Sequence, residues 1–125
     1  MGRLGSMTVL QVFSANGGKV AVFVAERYSK RLLGLTGLRG LPSRTGLLIP
    51  DCRSIHTFGM RFPLDVVFVG SAGPLGDRPV VAVHASLPAW TGLVPLVRGA
   101  HGVLELPVGT IDRSGTQVGD LIHIG

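Results

Sequence analysis

Cysteine is almost absent from this chain, with Cys52 the single one among 125 residues. A lone thiol makes no internal disulfide and excludes a zinc site built from several cysteines. It suits a reducing compartment, so the expectation is a cytoplasmic protein. Long apolar runs are missing too: no stretch approaches the roughly 20 apolar residues that a membrane-crossing helix needs. The opening MGRLGSMTVLQVF has no sustained apolar segment after its basic residue, so neither a secretory leader nor membrane insertion is expected. Aromatics are sparse at 6% and charged residues make up 15%, while 46% of the chain is apolar. That balance excludes disorder and describes a packed globule.

Glycine and proline are plentiful, at 19 and 8 residues, and they supply the turns that short strands require. The length suits one domain able to bury a core without a staple. Met7 follows Gly5-Ser6 in the manner of a natural start preceded by a short leader or tag remnant. Residues 1–6 are therefore set aside, and 7–125 are read as the domain.

Thr8–Ser14 and Lys19–Val24 are β-favouring runs around Ala15-Asn16-Gly17-Gly18, which predicts an N-terminal hairpin. In Glu26–Leu35 the period changes: Tyr28, Leu32 and Leu35 fall on one side, which predicts a short helix stopped by Gly34 and Gly37. Leu38–Thr45 reads as an irregular loop, Gly46–Ile49 as an apolar run, and Ser54–Met60 as extended. Leu64–Val69 is continuously apolar after Asp65 and predicts a central strand buried on both faces. Further strands are expected at Pro79–Leu87, Val103–Leu106 and Leu121–Ile124, with a glycine-rich loop at Gly70–Asp77 and a turn-prone link at Pro88–Pro95. The fold class is mainly β (α+β), a single-domain β-sandwich or partly closed barrel with one short helix.

Three stretches carry a family resemblance: Gly34, Leu35 and Gly37; the block IHTFGMRFPLDVVFVG; and HGVLELPVGTIDRSGTQVGDLIHI. In this order they resemble the domain of unknown function 192 family, from about Arg27 to Ile124. The resemblance implies a compact, mostly β, sandwich-like fold and no assigned activity. Many members resemble Phe-Trp-Met-Lys-Asn-Thr where this chain has Ile55, His56, Thr57, Phe58, Gly59 and Met60. The methionine and lysine of that pattern fall on Thr57 and Phe58, and another methionine falls on Thr36. Many relatives carry export signals, which this chain is not seen to have.

The residues also suggest chemistry. Asp65 stands before a strand that otherwise reads as core, so its carboxylate needs partners, either backbone N–H groups or an arginine such as Arg61. As a functional group it would be a general base or metal ligand. Glu105 is a second acid between Leu104 and Leu106, and a hydrolase would use Asp65 with His56 or Glu105 if they shared a cleft. His56, His84, His101 and His123 show no metal-binding spacing, and no cofactor or metal is expected. Cys52 and His56 lack the surroundings of a nucleophile pair. No glycine-rich piece matches a phosphate loop.

The net charge of +5 is concentrated between Lys19 and Arg61, where eight basic residues face Glu26 and Asp51. Arg27, Lys30, Arg31, Arg39 and Arg44 therefore form a candidate basic patch for an anionic polymer such as nucleic acid. No groove-reading motif accompanies it, so a solvated face is the plainer reading. The preferred expectation is a non-catalytic binding or accessory module. It would contact a protein partner or small ligand through His56, Met60, Arg61, Asp65 and Trp90.

Overall fold

A computed structural model describes residues 3–4, 7–14, 19–24, 45–58 and 60–124, with side chains described for 46–58 and 60–123. Its strands in chain order are β1 (Arg3–Leu4), β2 (Met7–Ser14), β3 (Lys19–Val24), β4 (Thr45–Pro50), β5 (Ile55–His56), β6 (Leu64–Val69), β7 (Asp77–Leu87), β8 (Leu93–Val94), β9 (Gly102–Leu106) and β10 (Leu121–Ile124). A five-residue helix, α1 (Thr110–Ser114), lies between β9 and β10.

The main sheet has eight strands in the order β1-β2-β10-β7-β6-β9-β4-β3, and β2 also pairs with β3. That extra pairing curls the sheet back on itself, which is how an antiparallel sheet covers its edges. The β3–β4 pair is parallel and the other pairs are antiparallel. The expected hairpin is present, with Thr8 opposite Val24 and Phe13 opposite Lys19. Arg3–Leu4, within the six residues set aside as a leader, pair with Met7 and Thr8.

β6 is the centre of the sheet. It lies between β7 and β9, and every one of its residues is buried. Side chains alternate across a strand, so the run divides between two cores. Leu64, Val66 and Phe68 join Leu47, Ile49 and Val103 on one face. Val67 and Val69 join Leu48, Leu104, Leu106 and Ile122 on the other. Two small elements complete these cores. The two-stranded sheet of β5 and β8, here called the ribbon, places Ile55 and Val94 in the first core. α1 places Ile111 in the second.

The expected helix at Glu26–Leu35 lies outside the described residues. The helix observed, α1, falls in a stretch where no periodic signal was read, because five residues are too few to show one. Among the described residues of Ser54–Met60, strand is formed at Ile55–His56 alone. Among the described residues no helix is long and apolar enough to cross a membrane.

Candidate functional site

Two buried polar side chains organise the loops around the sheet, and they do so on opposite faces. Asp65 is 1% exposed. Its Oδ1 accepts the Ser86 N–H at 2.9 Å, and its Oδ2 accepts those of Gly109 at 3.1 Å and Ile111 at 2.9 Å. Each donor has a local reason to need it. β7 is bulged opposite Asp65, since Leu64 pairs with Leu87 but Val66 pairs with His84. The bulge leaves Ser86 at φ 54 with an amide that misses the ladder. Gly109 is the N-cap of α1 at φ 97 and has no side chain to cap with, so Asp65 supplies the acceptor from across the fold. Both carboxylate oxygens are thus engaged by backbone amides.

Thr57 is fully buried and works by hydroxyl and backbone together. Its Oγ1 donates to the Pro88 carbonyl at 2.6 Å and accepts the Gly92 N–H at 2.7 Å. Its own N–H donates to Gly92 O, and its carbonyl accepts the amides of Met60 and Trp90. One residue therefore fastens the 57–60 turn to the 88–92 turn. Gly92 must be glycine for this approach: a Cβ there would stand 2.8 Å from the Pro88 carbonyl oxygen and 2.6 Å from Leu87 Cγ.

What these turns present outward is apolar. In the β5–β8 ribbon Ile55 pairs with Val94 facing the core, so the next pair, His56 and Leu93, faces away from it. Phe58 stacks on the His56 ring, with centroids 4.7 Å apart, and the Phe58 N–H donates to His56 Nδ1 at 3.3 Å. Phe58 is 53% exposed, Trp90 58% and Leu93 60%. Trp90 also sits at φ 64, a left-handed conformation unusual for a bulky residue.

The anticipated site residues are thus divided. His56 lies on the ribbon, Trp90 lies in the 88–92 turn with its amide bonded to the Thr57 carbonyl, and Arg61 is exposed beside Met60. Met60 and Asp65 are enclosed, Met60 at 2% exposure, so neither offers surface to a partner. Asp65 pairs with Leu106 and Glu105 with Val66, which puts the two carboxylates on opposite faces of the sheet. His56 belongs to the ribbon that covers the Glu105 face, so Asp65 is separated from it by the sheet as well. The clefts that a hydrolase would need, joining Asp65 to His56 or to Glu105, are not formed. Arg27, Lys30, Arg31, Arg39 and Arg44 lie outside the described residues. Among the described residues no group of three or more histidine, cysteine or acidic side chains is placed to hold a metal ion.

Thr57, Phe58, Gly92 and Leu93 were not anticipated as site residues. Thr57 and Phe58 stood out in the sequence as departures from the family pattern, which was the available signal.

The family model described as Uncharacterized ACR, for domain of unknown function 192, matches residues 11–124. A UPF0127 protein from Thermococcus sibiricus (strain DSM 12597 / MM 739) is 32% identical over 105 residues, 81% of this chain, and the chain spans 64% of that relative's length. Among solved structures, a protein of unknown function from Novosphingobium aromaticivorans DSM 12444 superposes with a TM-score of 0.74 at 22% identity, over 94% of this chain and 84% of the other. A "putative transcription regulator" from Sinorhizobium meliloti 1021 superposes with a TM-score of 0.76 at 23% identity, over 95% of this chain and 94% of the other. At such identities the structural likeness shows the fold alone.

Proposed function

Because this chain belongs to the domain of unknown function 192 family, which brings a fold without an assigned activity, we propose a function from the chain's own surface: a non-catalytic binding module. Its contact surface is the outer side of the β5–β8 ribbon with the 57–61 and 88–93 turns. The observation that carries this reading is Thr57. A fully buried hydroxyl joins two turns so that Phe58, Trp90 and Leu93 remain in solvent. Exposed aromatic and aliphatic side chains grouped on a rigid support mark contact surfaces more often than solitary ones do. Trp90 adds to this, since a left-handed backbone costs about 1–3 kcal/mol and tends to persist where function uses the side chain.

A photo-crosslinking phenylalanine analogue placed at position 58, 93 or 75 of the full chain, in cells that carry the gene, tests the proposal. Discrete adducts of any chemical class are expected from 58 and 93 and not from 75, an exposed leucine in the separate loop between β6 and β7. Equal yields at all three positions would overturn it. For cellular setting, the same reading places the module in the cytoplasm, supported by the free thiol of Cys52. Cell fractionation with a periplasmic marker checks that placement.

A further inference from the structure

The two segments that contain the ribbon and its turns, residues 52–64 and 78–104, have neither aspartate nor glutamate, and exposed Asp51 flanks the first of them. They do carry Arg53, Arg61 and Arg98, all exposed and none in an ion pair among the described residues. The Val97 N–H donates to the Arg53 carbonyl at 2.8 Å, which puts Arg53 beside the Leu96–Arg98 stretch. Leu96, 70% exposed, adds a further apolar side chain on the stretch that adjoins Arg53. The same loop pair thus offers four exposed apolar side chains and three unpaired guanidinium groups.

Resting on the binding-module reading above, we propose that the partner is the surface of an anionic lipid bilayer. Phe58, Trp90, Leu93 and Leu96 reach the boundary between headgroups and acyl chains, while Arg53, Arg61 and Arg98 meet the headgroup phosphates. This combination is the one that holds proteins at a membrane interface, where aromatic and aliphatic side chains are both accommodated and arginine adds electrostatic attraction. A single-stranded nucleic acid would stack on Phe58 and Trp90 but has no use for two exposed leucines. An acidic peptide joining as an added strand needs a longer free edge than two residues per strand. Adsorption of this kind needs no membrane-spanning segment.

Trp90 is the only tryptophan, so its emission reports the contact directly. The full chain is titrated at low salt with vesicles of phosphatidylcholine alone, with vesicles of phosphatidylcholine and phosphatidylglycerol in equal parts, and with oligothymidylate. The anionic vesicles are expected to shift the emission to shorter wavelength and to co-sediment with the protein, with binding lost as salt rises. Arg53→Gln and Arg61→Gln should each weaken that affinity about fivefold, and Leu93→Ala with Leu96→Ala at least about tenfold. Circular dichroism confirms that these surface variants fold. No response to anionic vesicles, or an equal response to both lipids that the arginine variants leave unchanged, overturns the lipid assignment. Quenching by oligothymidylate without a vesicle response also overturns it, while leaving a binding surface in place. The broader reading falls only if the crosslinking contrast between 58, 93 and 75 is absent as well.

Discussion

Asp65 and Thr57 solve the same problem on opposite faces of one sheet, with different consequences. Each is a buried polar side chain that takes up backbone groups the sheet leaves unpaired. Asp65 uses a charge, draws α1 and the β7 bulge inward, and ends with nothing of itself at the surface. Thr57 uses a neutral hydroxyl, ties two turns together, and leaves their side chains outside. The difference lies in what stands around each anchor. Beside Asp65 are Leu106 and Ile111, which complete a core. Beside Thr57 are Phe58 and Trp90, which complete nothing within the fold.

The comparison breaks first at Asp65. Asp65→Ala orphans three backbone amides, that of Ile111 buried and those of Ser86 and Gly109 part-buried, and should cost about 3–5 kcal/mol, measured by urea unfolding. Asp65→Asn should recover less than half of this, because its NH2 group faces donors on one side or the other. A loss below about 1 kcal/mol for the alanine variant would show that α1 and the bulge do not depend on the carboxylate.

Thr57→Val keeps the shape and removes the hydroxyl, leaving the Gly92 N–H and Pro88 carbonyl without it. A loss of about 1–3 kcal/mol is expected, together with altered Trp90 emission. Gly92→Ala should match it, since the added methyl meets backbone oxygen at 2.8 Å. Unchanged emission in both variants would mean that the two turns hold their shape without Thr57.

At Trp90 the prediction concerns order rather than size. Asparagine and glycine tolerate the left-handed backbone, so Trp90→Asn and Trp90→Gly should stay within about 1 kcal/mol of the parent. Trp90→Val should be the least stable of the three, because a β-branched residue tolerates φ 64 poorly. A valine variant equal to the glycine variant would remove the argument from strain. The smallest effect is expected from the surface pair of His123 and Asp77, 2.9 Å apart and both well exposed. Asp77→Asn should change stability by less than about 1 kcal/mol, read by the same unfolding curve.

Much of the fold was legible because strand signals are local. Leu64–Val69 showed as an unbroken apolar run because both faces of β6 are covered. The first hairpin showed through the asparagine and glycines between its strands. α1 did not show, because a five-residue helix capped by a carboxylate 44 positions away in sequence leaves no local pattern. The candidate surface was half legible. His56, Arg61 and Trp90 were read as surface candidates, and they are exposed or half-exposed on or beside the ribbon. Met60 and Asp65 were read with them because they are close in sequence, but strand alternation and the turn at Thr57 send both inward.

The sequence by itself determined the β-rich class, the central strand, the family, and the lack of acids along the ribbon segments, all of which depend on composition and short-range order. Tertiary structure alone decided which face each acid takes and which turns meet. It set Asp65 and Glu105 apart through the register of β6 against β9, and it joined residues 57 and 92 through the Thr57 hydroxyl and a backbone hydrogen bond. Register and loop contact depend on pairings between residues far apart in the chain, and their energies exist only once the sheet has closed.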